Sequence, residues 1–491
     1  PVPPAGGRRS LASSHQGPMQ LAIRQAPITK GGVCGDSATD RNTAKWWIPV
    51  TWSLPQPNDT PKTFTEFSWT EVKDCQATIP LNNAANVPYV LVNRFRYGYY
   101  RVNYSEPLWA ALSAAAALPR KNEDVDAPIQ TVDLAGLLSD AYRLNEAGIL
   151  PSIHPFLDLV VSLATRNRTD EYAPWAVALS KLTHMRTLLS NAAAADAAAG
   201  VTASPWPACK DKLNTFINRN LTSGMARQLG WTVSTPAAQR EDMDERMLRP
   251  VILNAHASAG GALDSGIQTV WGAISNLVLA SDTAQQVIEP VRLFLSIQFT
   301  PDTRGPVFAA AVASQPKGYE AVKKMVTIVT APEDQALIMS ALSMAPSPAN
   351  VTDLLRFMTT DAVPVENVGS MLQGLAARGG QPFTAVWDFL TTYCVDKNPP
   401  EPQCVGLDTL LRRFNANGND LGGAVYSLGT AISSMARLFT GTAMQARLAS
   451  FYAANTELLD PSFLDVYAEA AARNTAWLAN TAPQLCAWLG K

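Results

Sequence analysis

Four histidines, one dense carboxylate run and a few glycine-rich turns are the places where this sequence would do chemistry. His15, His154, His184 and His256 stand far apart, none has a second histidine within helical reach, and H-E-x-x-H is absent. A histidine-based metal site is therefore not expected. In Glu241-Asp242-Met243-Asp244-Glu245, helical spacing puts Glu241 on one face with Asp244 or Glu245. A solvated helix start, favoured by the helix dipole, is the expected reading over a calcium site. Gly260, Gly261 and Gly266 precede a helical stretch but follow another one rather than a strand, the wrong context for a dinucleotide-binding loop. No Walker loop or G-x-S-x-G elbow is present either. An enzyme acting through these residues alone is the weakest functional reading.

The six cysteines offer no C-x-x-C pair, so zinc knuckles and dithiol redox motifs are not expected. Cys394 and Cys404 flank Lys397-Asn398-Pro399-Pro400-Glu401-Pro402, a loop that suits a short disulfide-closed excursion, and Cys34 and Cys75 bracket a strand region. For Cys209 and Cys486, a disulfide and a buried thiol are equally compatible with the sequence. Glycosylation sequons stand at Asn58, Asn103, Asn167, Asn220 and Asn350. With the even cysteine count, they favour an extracellular, cell-surface or secretory setting.

The elements that must hold these residues follow from composition and periodicity. At 491 residues, the chain is about three times the usual domain length of roughly 150, and it combines 47% apolar with only 16% charged residues. A net charge of −2 supplies no field for nucleic acid. Uncharged stretches such as 265–281 are interrupted by Gln268, Thr269 and Asn276, so no membrane span is expected. Residues 1–17 read as a Pro/Gly/Ser-rich linker, and the start at Pro1 reads as that of a processed product or a piece of something longer.

Residues 18–105 contain short β-branched and aromatic runs: Met19 to Arg24, Trp46 to Trp52, Thr65 to Val72, Ala77 to Leu81, and Tyr89 to Val92. Separated by turn clusters, they predict a small β-sandwich. From 106 to 491 the period is helical. Leu134, Leu137, Leu138, Ala141 and Tyr142 share one helix face, and Gly148 followed by Pro151 predicts a stop near Ala147. Segments of about 10 to 20 residues, punctuated by Pro, Gly or Ser-Pro, repeat without strands between them. The fold class is mainly α: a small β-sandwich followed by a HEAT/armadillo-like α-solenoid, a superhelical bowl of stacked helix pairs. The alanine-rich stretch from Asn191 to Gly200, followed by Ser204-Pro205-Trp206-Pro207, reads as an interhelical insertion.

One passage resembles a known family. Leu91-Val92-Asn93, Gly98-Tyr99-Tyr100-Arg101-Val102-Asn103-Tyr104 and Leu108-Trp109 are similar to the C-terminal region of zinc aminopeptidases of the aminopeptidase N and endoplasmic reticulum aminopeptidase type. There a GYYRVNYD element closes the β-sandwich and opens the helical domain; here Ser105 replaces the Asp. Trp47 to Thr51, Leu137 to Leu150, Val386-Trp387-Asp388-Phe389-Leu390, Leu410 to Phe414, Thr475 to Leu478 and Trp488-Leu489 resemble further landmarks in the family's order.

In that family, the zinc site, the loop that holds the substrate amino terminus and the transition-state tyrosine lie in a preceding catalytic domain. No catalytic or metal residue carries over, and no cofactor is expected in this chain; zinc belongs to the missing catalytic domain. The resemblance implies a helical bowl that caps the peptidase cleft, limits peptide access and partners the catalytic half. Arg412 or Arg413 is the candidate cavity-facing cation for peptide contact, with a surface or intradomain salt bridge as the competing expectation. The alternative function is a free-standing, non-catalytic scaffold that binds a protein or peptide on its concave helical surface; an oligomer is compatible with either.

Overall fold

The structure, a computed structural model, describes residues 20–26, 34, 46–55, 68–72, 74–81, 87–118, 129–231, 242–281, 291, 299, 301–392, 405–416, 421–455 and 464–490. Two compact units are present: Pro1–Leu112 with Lys121–Gln130, and Ser113–Arg120 with Thr131–Lys491.

In the first unit, β1 (Gln20–Arg24) pairs antiparallel with β4 (Gln76–Pro80). A second sheet has the order β3-β2-β5, from β2 (Ile48–Ser53), β3 (Ser68–Val72) and β5 (Leu91–Val92). The register Val50↔Thr70 and Trp52↔Val92 places β2 in the centre, where Val50 and Trp52 are buried. A disulfide joins Cys34 to Cys75, one residue before β4, with Cα atoms 5.3 Å apart. Helix α1 (Glu106–Ala116) follows these strands in the chain.

The second unit is helical. Its elements are α2 (Thr131–Glu146), α3 (His154–Arg166), α4 (Tyr172–Ala198), α5 (Trp206–Thr215), a π-helical turn (Phe216–Thr222), α6 (Ser223–Leu229), α7 (Met243–Ser258) and α8 (Ser265–Ala280). They continue with α9 (Pro301–Ser314), α10 (Gly318–Met325), α11 (Pro332–Leu342), α12 (Pro348–Phe357), α13 (Val365–Ala377) and α14 (Gly380–Leu390). The last are α15 (Leu407–Ala416), α16 (Leu421–Ala436), α17 (Thr442–Ala454), α18 (Leu464–Asn480) and α19 (Ala482–Trp488). Helix α2 stops where glycine permits it: Gly148 has φ +71°, and its N–H donates to Asn145 O.

Successive layers pack in the order α2, α4, α7, α9, α11, α13, α16, α18, as a stacked helical array requires. The series also closes on itself, because α18 contacts both α4 and α2, and α19 contacts α5. Charged ties bridge neighbouring layers. Arg249 on α7 pairs with Asp302 on α9 while its Nε donates to Leu229 O, and Arg304 pairs with Asp334 at 2.9 Å.

One expectation is corrected. The alanine-rich stretch is no insertion: residues 191–198 are the last two turns of α4, and Gly200, at φ +73°, lies just beyond them. Local Gly and Pro signals suggested a break, whereas alanine's high helix propensity and burial of Asn191 and Ala192 extend the helix. For Cys209 and Cys486, where the sequence leaves a disulfide and a buried thiol equally open, the structure has the disulfide. It joins α5 to α19 across 277 residues, with Cα atoms 5.2 Å apart. Cys394 and Cys404 lie outside the described residues.

From Met185 to Ala192, α4 is buried on most of its sides, which marks a central helix rather than an amphipathic surface one. It touches α2, α3, α5, α7, α14 and α18. Asn191 Nδ2 donates to Leu438 O at 3.1 Å, and its Oδ1 accepts from Gly380 N at 2.8 Å. Thr187 Oγ1 donates to Ala377 O at 2.5 Å. Gly379 makes this approach possible: with φ +68°, a Cβ there would stand 2.7 Å from Thr187 O. Asn191→Ala, which strands two main-chain groups, is expected to cost about 2–4 kcal/mol, read as a lower urea midpoint with unchanged slope. Gly379→Ala combines that clash with a left-handed backbone and should cost about 2 kcal/mol or more on the same assay.

Candidate functional site

The passage that carries the family resemblance builds a local lock. Asn93 takes a left-handed conformation (φ 59°), freeing its carboxamide to face the following loop. Its Nδ2 donates to Gly98 O at 2.9 Å and Tyr100 O at 3.0 Å, while its Oδ1 accepts from Gly98 N at 2.8 Å. The Tyr104 hydroxyl accepts from Val92 N at 3.0 Å and donates to Val92 O at 3.3 Å, tying the loop exit to β5. Trp109 Nε1 donates to Asn103 Oδ1, and the Tyr104 and Trp109 rings meet edge to face at 5.0 Å. The letters that carry the resemblance therefore fix how the chain leaves the sheet for α1. Around this lock, Tyr97 and Tyr99 are highly exposed, as is Trp47 before β2.

In the helical unit, the two candidate arginines differ. Arg413 is half-buried and holds the turn after α12: Nη1 donates to Met358 O at 2.8 Å, Nη2 to Val363 O, and Nε lies 3.5 Å from Asp361. Arg412 is exposed, and among the described residues its ion-pair partner is Asp408, one helical turn back at 3.4 Å.

A shallow hollow of about 530 Å³ lies between α10 and α12, lined by Tyr319, Lys323, Asn350, Asp353 and Phe357 among others. Asp353 Oδ2 accepts from both Tyr319 Oη at 2.7 Å and Lys323 Nζ at 2.6 Å, and Lys323 also sits 4.8 Å from the Phe357 ring centre. Burial alone would raise the Asp353 carboxyl, but hydrogen bonds from Lys323 and Tyr319 outweigh it and hold the group below the usual carboxylate range. Burial, then the bond to Asp353, pushes the Tyr319 phenol well up. Asp353 thus stays an anion and Tyr319 a neutral phenol near neutral pH, and neither is poised as an acid or base.

Of the histidines, His15 lies outside the described residues. His184 is held below its ordinary value mainly by burial, with Glu146 at 3.7 Å. His256 is lowered by burial too, and its Nδ1 meets Thr222 Oγ1 at 3.1 Å. Of the carboxylate run, Asp242 precedes α7, Asp244 and Glu245 lie in its first turn, and Glu245 accepts from Thr169 Oγ1. Among the described residues, no group of three or more His, Cys, Asp or Glu side chains converges as a metal ion requires. No described helix is long and apolar enough to cross a membrane.

Asn103, Asn167 and Asn220 are exposed, and Asn350 is half-exposed at the start of α12; Asn58 lies outside the described residues. The Cys209–Cys486 closure is the feature that sequence reasoning missed, and no local signal marks a pairing across that separation.

Comparison with known proteins gives a consistent picture. Residues 89–472 match the ERAP1-like C-terminal domain family. The chain is 27% identical over 183 residues to aminopeptidase N of Plutella xylostella, covering 35% of this chain and 18% of that protein. It is 28% identical over 146 residues to glutamyl aminopeptidase of Sus scrofa, covering 30% of this chain and 14% of that protein. A longer match, 21% identical over 432 residues, covers 86% of this chain and 41% of aminopeptidase M1-D of Oryza sativa subsp. japonica. The chain thus spans well under half the length of these relatives. With its sheet-to-helix lock inside the matched region and its helical array filling most of it, the chain belongs to the ERAP1-like C-terminal domain family found in M1 aminopeptidases.

Proposed function

We propose that this chain is the C-terminal, non-catalytic part of a zinc aminopeptidase, where it caps the peptidase cleft and controls peptide access. The observation that carries this reading is the family match over residues 89–472, set against relatives that are aminopeptidases and extend far beyond the matched segment. The junction between its sandwich and helical domains falls at 105–106 in this reading. Exposed Trp47, Tyr97 and Tyr99 supply the aromatic surface that a docked catalytic half would cover. Arg412, exposed and weakly paired, is the better candidate for peptide contact, because Arg413 already bonds two main-chain carbonyls. Its disulfides suit an oxidising compartment, and the reading places it in the secretory pathway or at the cell surface.

The test uses the protein as it occurs. An antibody against this chain should recover, from its source, zinc and an aminoacyl-amide-cleaving activity that a chelator abolishes. Recovery of the chain with neither zinc nor such activity would overturn the reading.

A further inference from the structure

The open hollow between α10 and α12 has an acceptor for carbohydrate on its own wall. Asn350, Asp353 and Phe357 stand at i, i+3 and i+7 on α12, so they share one face and line the hollow along about 10 Å of helix. Tyr319, Lys323 and Thr327 line it from α10 and the turn after it. Asn350 opens the sequence Asn350-Val351-Thr352, the acceptor pattern for N-linked glycans. Ser347 caps the helix here: its Oγ accepts from Asn350 N at 3.1 Å and donates to Asn350 Oδ1 at 2.5 Å. The carboxamide is thereby held by its oxygen. Its Nδ2, the atom that carries a glycan, donates to no described residue and is not sealed from solvent.

The other described sequons are built differently. Asn167 Nδ2 donates to Gln228 Oε1 at 3.3 Å, and Asn103 accepts the Trp109 indole N–H inside the sheet-to-helix lock. Asn220 lies in the π-helical turn, where Thr222 of its sequon is buried against Ile217 O and His256. Of the four described acceptors, Asn350 is the one that lines this hollow. The lining suits a sugar. Half-exposed Phe357 offers apolar ring surface to the C–H face of a pyranose, while the Lys323 ammonium and the Asp353 carboxylate offer a donor and an acceptor to its hydroxyl and acetamide groups. Lys323 and Tyr319 both bond Asp353, so these polar groups are in place before any sugar arrives. An open hollow of about 530 Å³ also lets a branched chain leave at its far end, which an enclosed pocket would not.

We propose that Asn350 carries an N-linked glycan whose first sugars lie in the hollow, against Phe357 and the Lys323–Asp353 pair. The modification is a substitution. Asn350 Nδ2 bonds to the anomeric carbon of a lipid pyrophosphate-linked oligosaccharide, the bond from that carbon to the pyrophosphate oxygen breaks, and the lipid pyrophosphate leaves. The displaced amide proton passes to a base of the transferring enzyme. This rests on the secretory-pathway reading of the chain, the compartment in which such donors are used. Seated there, the glycan covers the Tyr319, Lys323 and Asp353 trio and braces α10 against α12.

Peptide mapping of the chain from its source, after an amidase has released the glycans in heavy-oxygen water, tests this, because each occupied asparagine becomes a labelled aspartate. The Asn350 peptide should carry the label. With the chain folded, release at Asn350 should be about tenfold or more slower than after unfolding, as a seat worth one good contact requires. Phe357→Ala and Lys323→Gln, expressed through a secretory pathway, should each remove most of that protection; Lys323→Gln carries the comparison if Phe357→Ala does not fold. Thr352→Ala, which leaves the hollow's lining intact, should abolish the label. An unlabelled Asn350 would overturn the proposal. A label at another sequon, or the Cys209–Cys486 disulfide in the same map, would then leave the secretory reading standing, whereas absence of both would remove it too. Release that is as fast from the folded chain as from the unfolded one, or that neither hollow variant changes, would overturn the seat in the hollow.

Discussion

The carboxamide of Asn191 is the contact on which the helical unit's organisation turns. It stands near the end of a helix that is buried on most sides, and it reaches Gly380 and Leu438, main-chain sites 189 and 247 residues away in sequence. Both groups are part-buried, and leaving a main-chain group unpartnered where water cannot replace the bond costs about 1–3 kcal/mol. One side chain thus fixes where α14 begins and where the segment after α16 runs. Asn474 on α18 completes the second point by donating to Arg437 O and Phe439 O, and Phe439 in turn packs edge to face on Trp387 at 4.9 Å. The early helix α4 and the late helix α18 hold the same turn from two sides.

That arrangement explains why the array closes. A stacked series of helix pairs has nearest-neighbour contacts and, in general, two free ends. Here α18 returns to α4 and α2, and the Cys209–Cys486 bond fastens the last helix to α5. In the chain-entropy model, a cross-link over a loop of this length stabilises the fold by about 5 kcal/mol, comparable with the whole stability of a small domain. The low charge fraction has the same origin. Helices such as α4 share faces with several neighbours, so little of their surface is left for charged groups.

How much of this the sequence reveals depends on the range of the interaction. The strand runs, the stop of α2 at Gly148 and the succession of helices follow from local periodicity and capping, and the structure has them. The lock around Asn93, Tyr104 and Trp109 shows as a recognisable string of letters because all its partners lie within about one loop. The alanine stretch misleads for the opposite reason. Gly200 and Pro205 are visible from nearby positions, while the partners that hold Asn191 in the helix are about two hundred residues away. Arg413 is similar: an adjacent Arg412 makes both look alike, but only a turn 50 residues upstream distinguishes them. As for chemistry, the feature that the fold assembles from nearby letters is a positioning lock.

Closure of the helical array is the claim from which the rest follows, and peptide mapping without reduction tests it most directly. The account predicts that the peptide containing Cys209 is recovered joined by a disulfide to the peptide containing Cys486. Recovery of both as free thiols, or of either joined to a different cysteine, would contradict it.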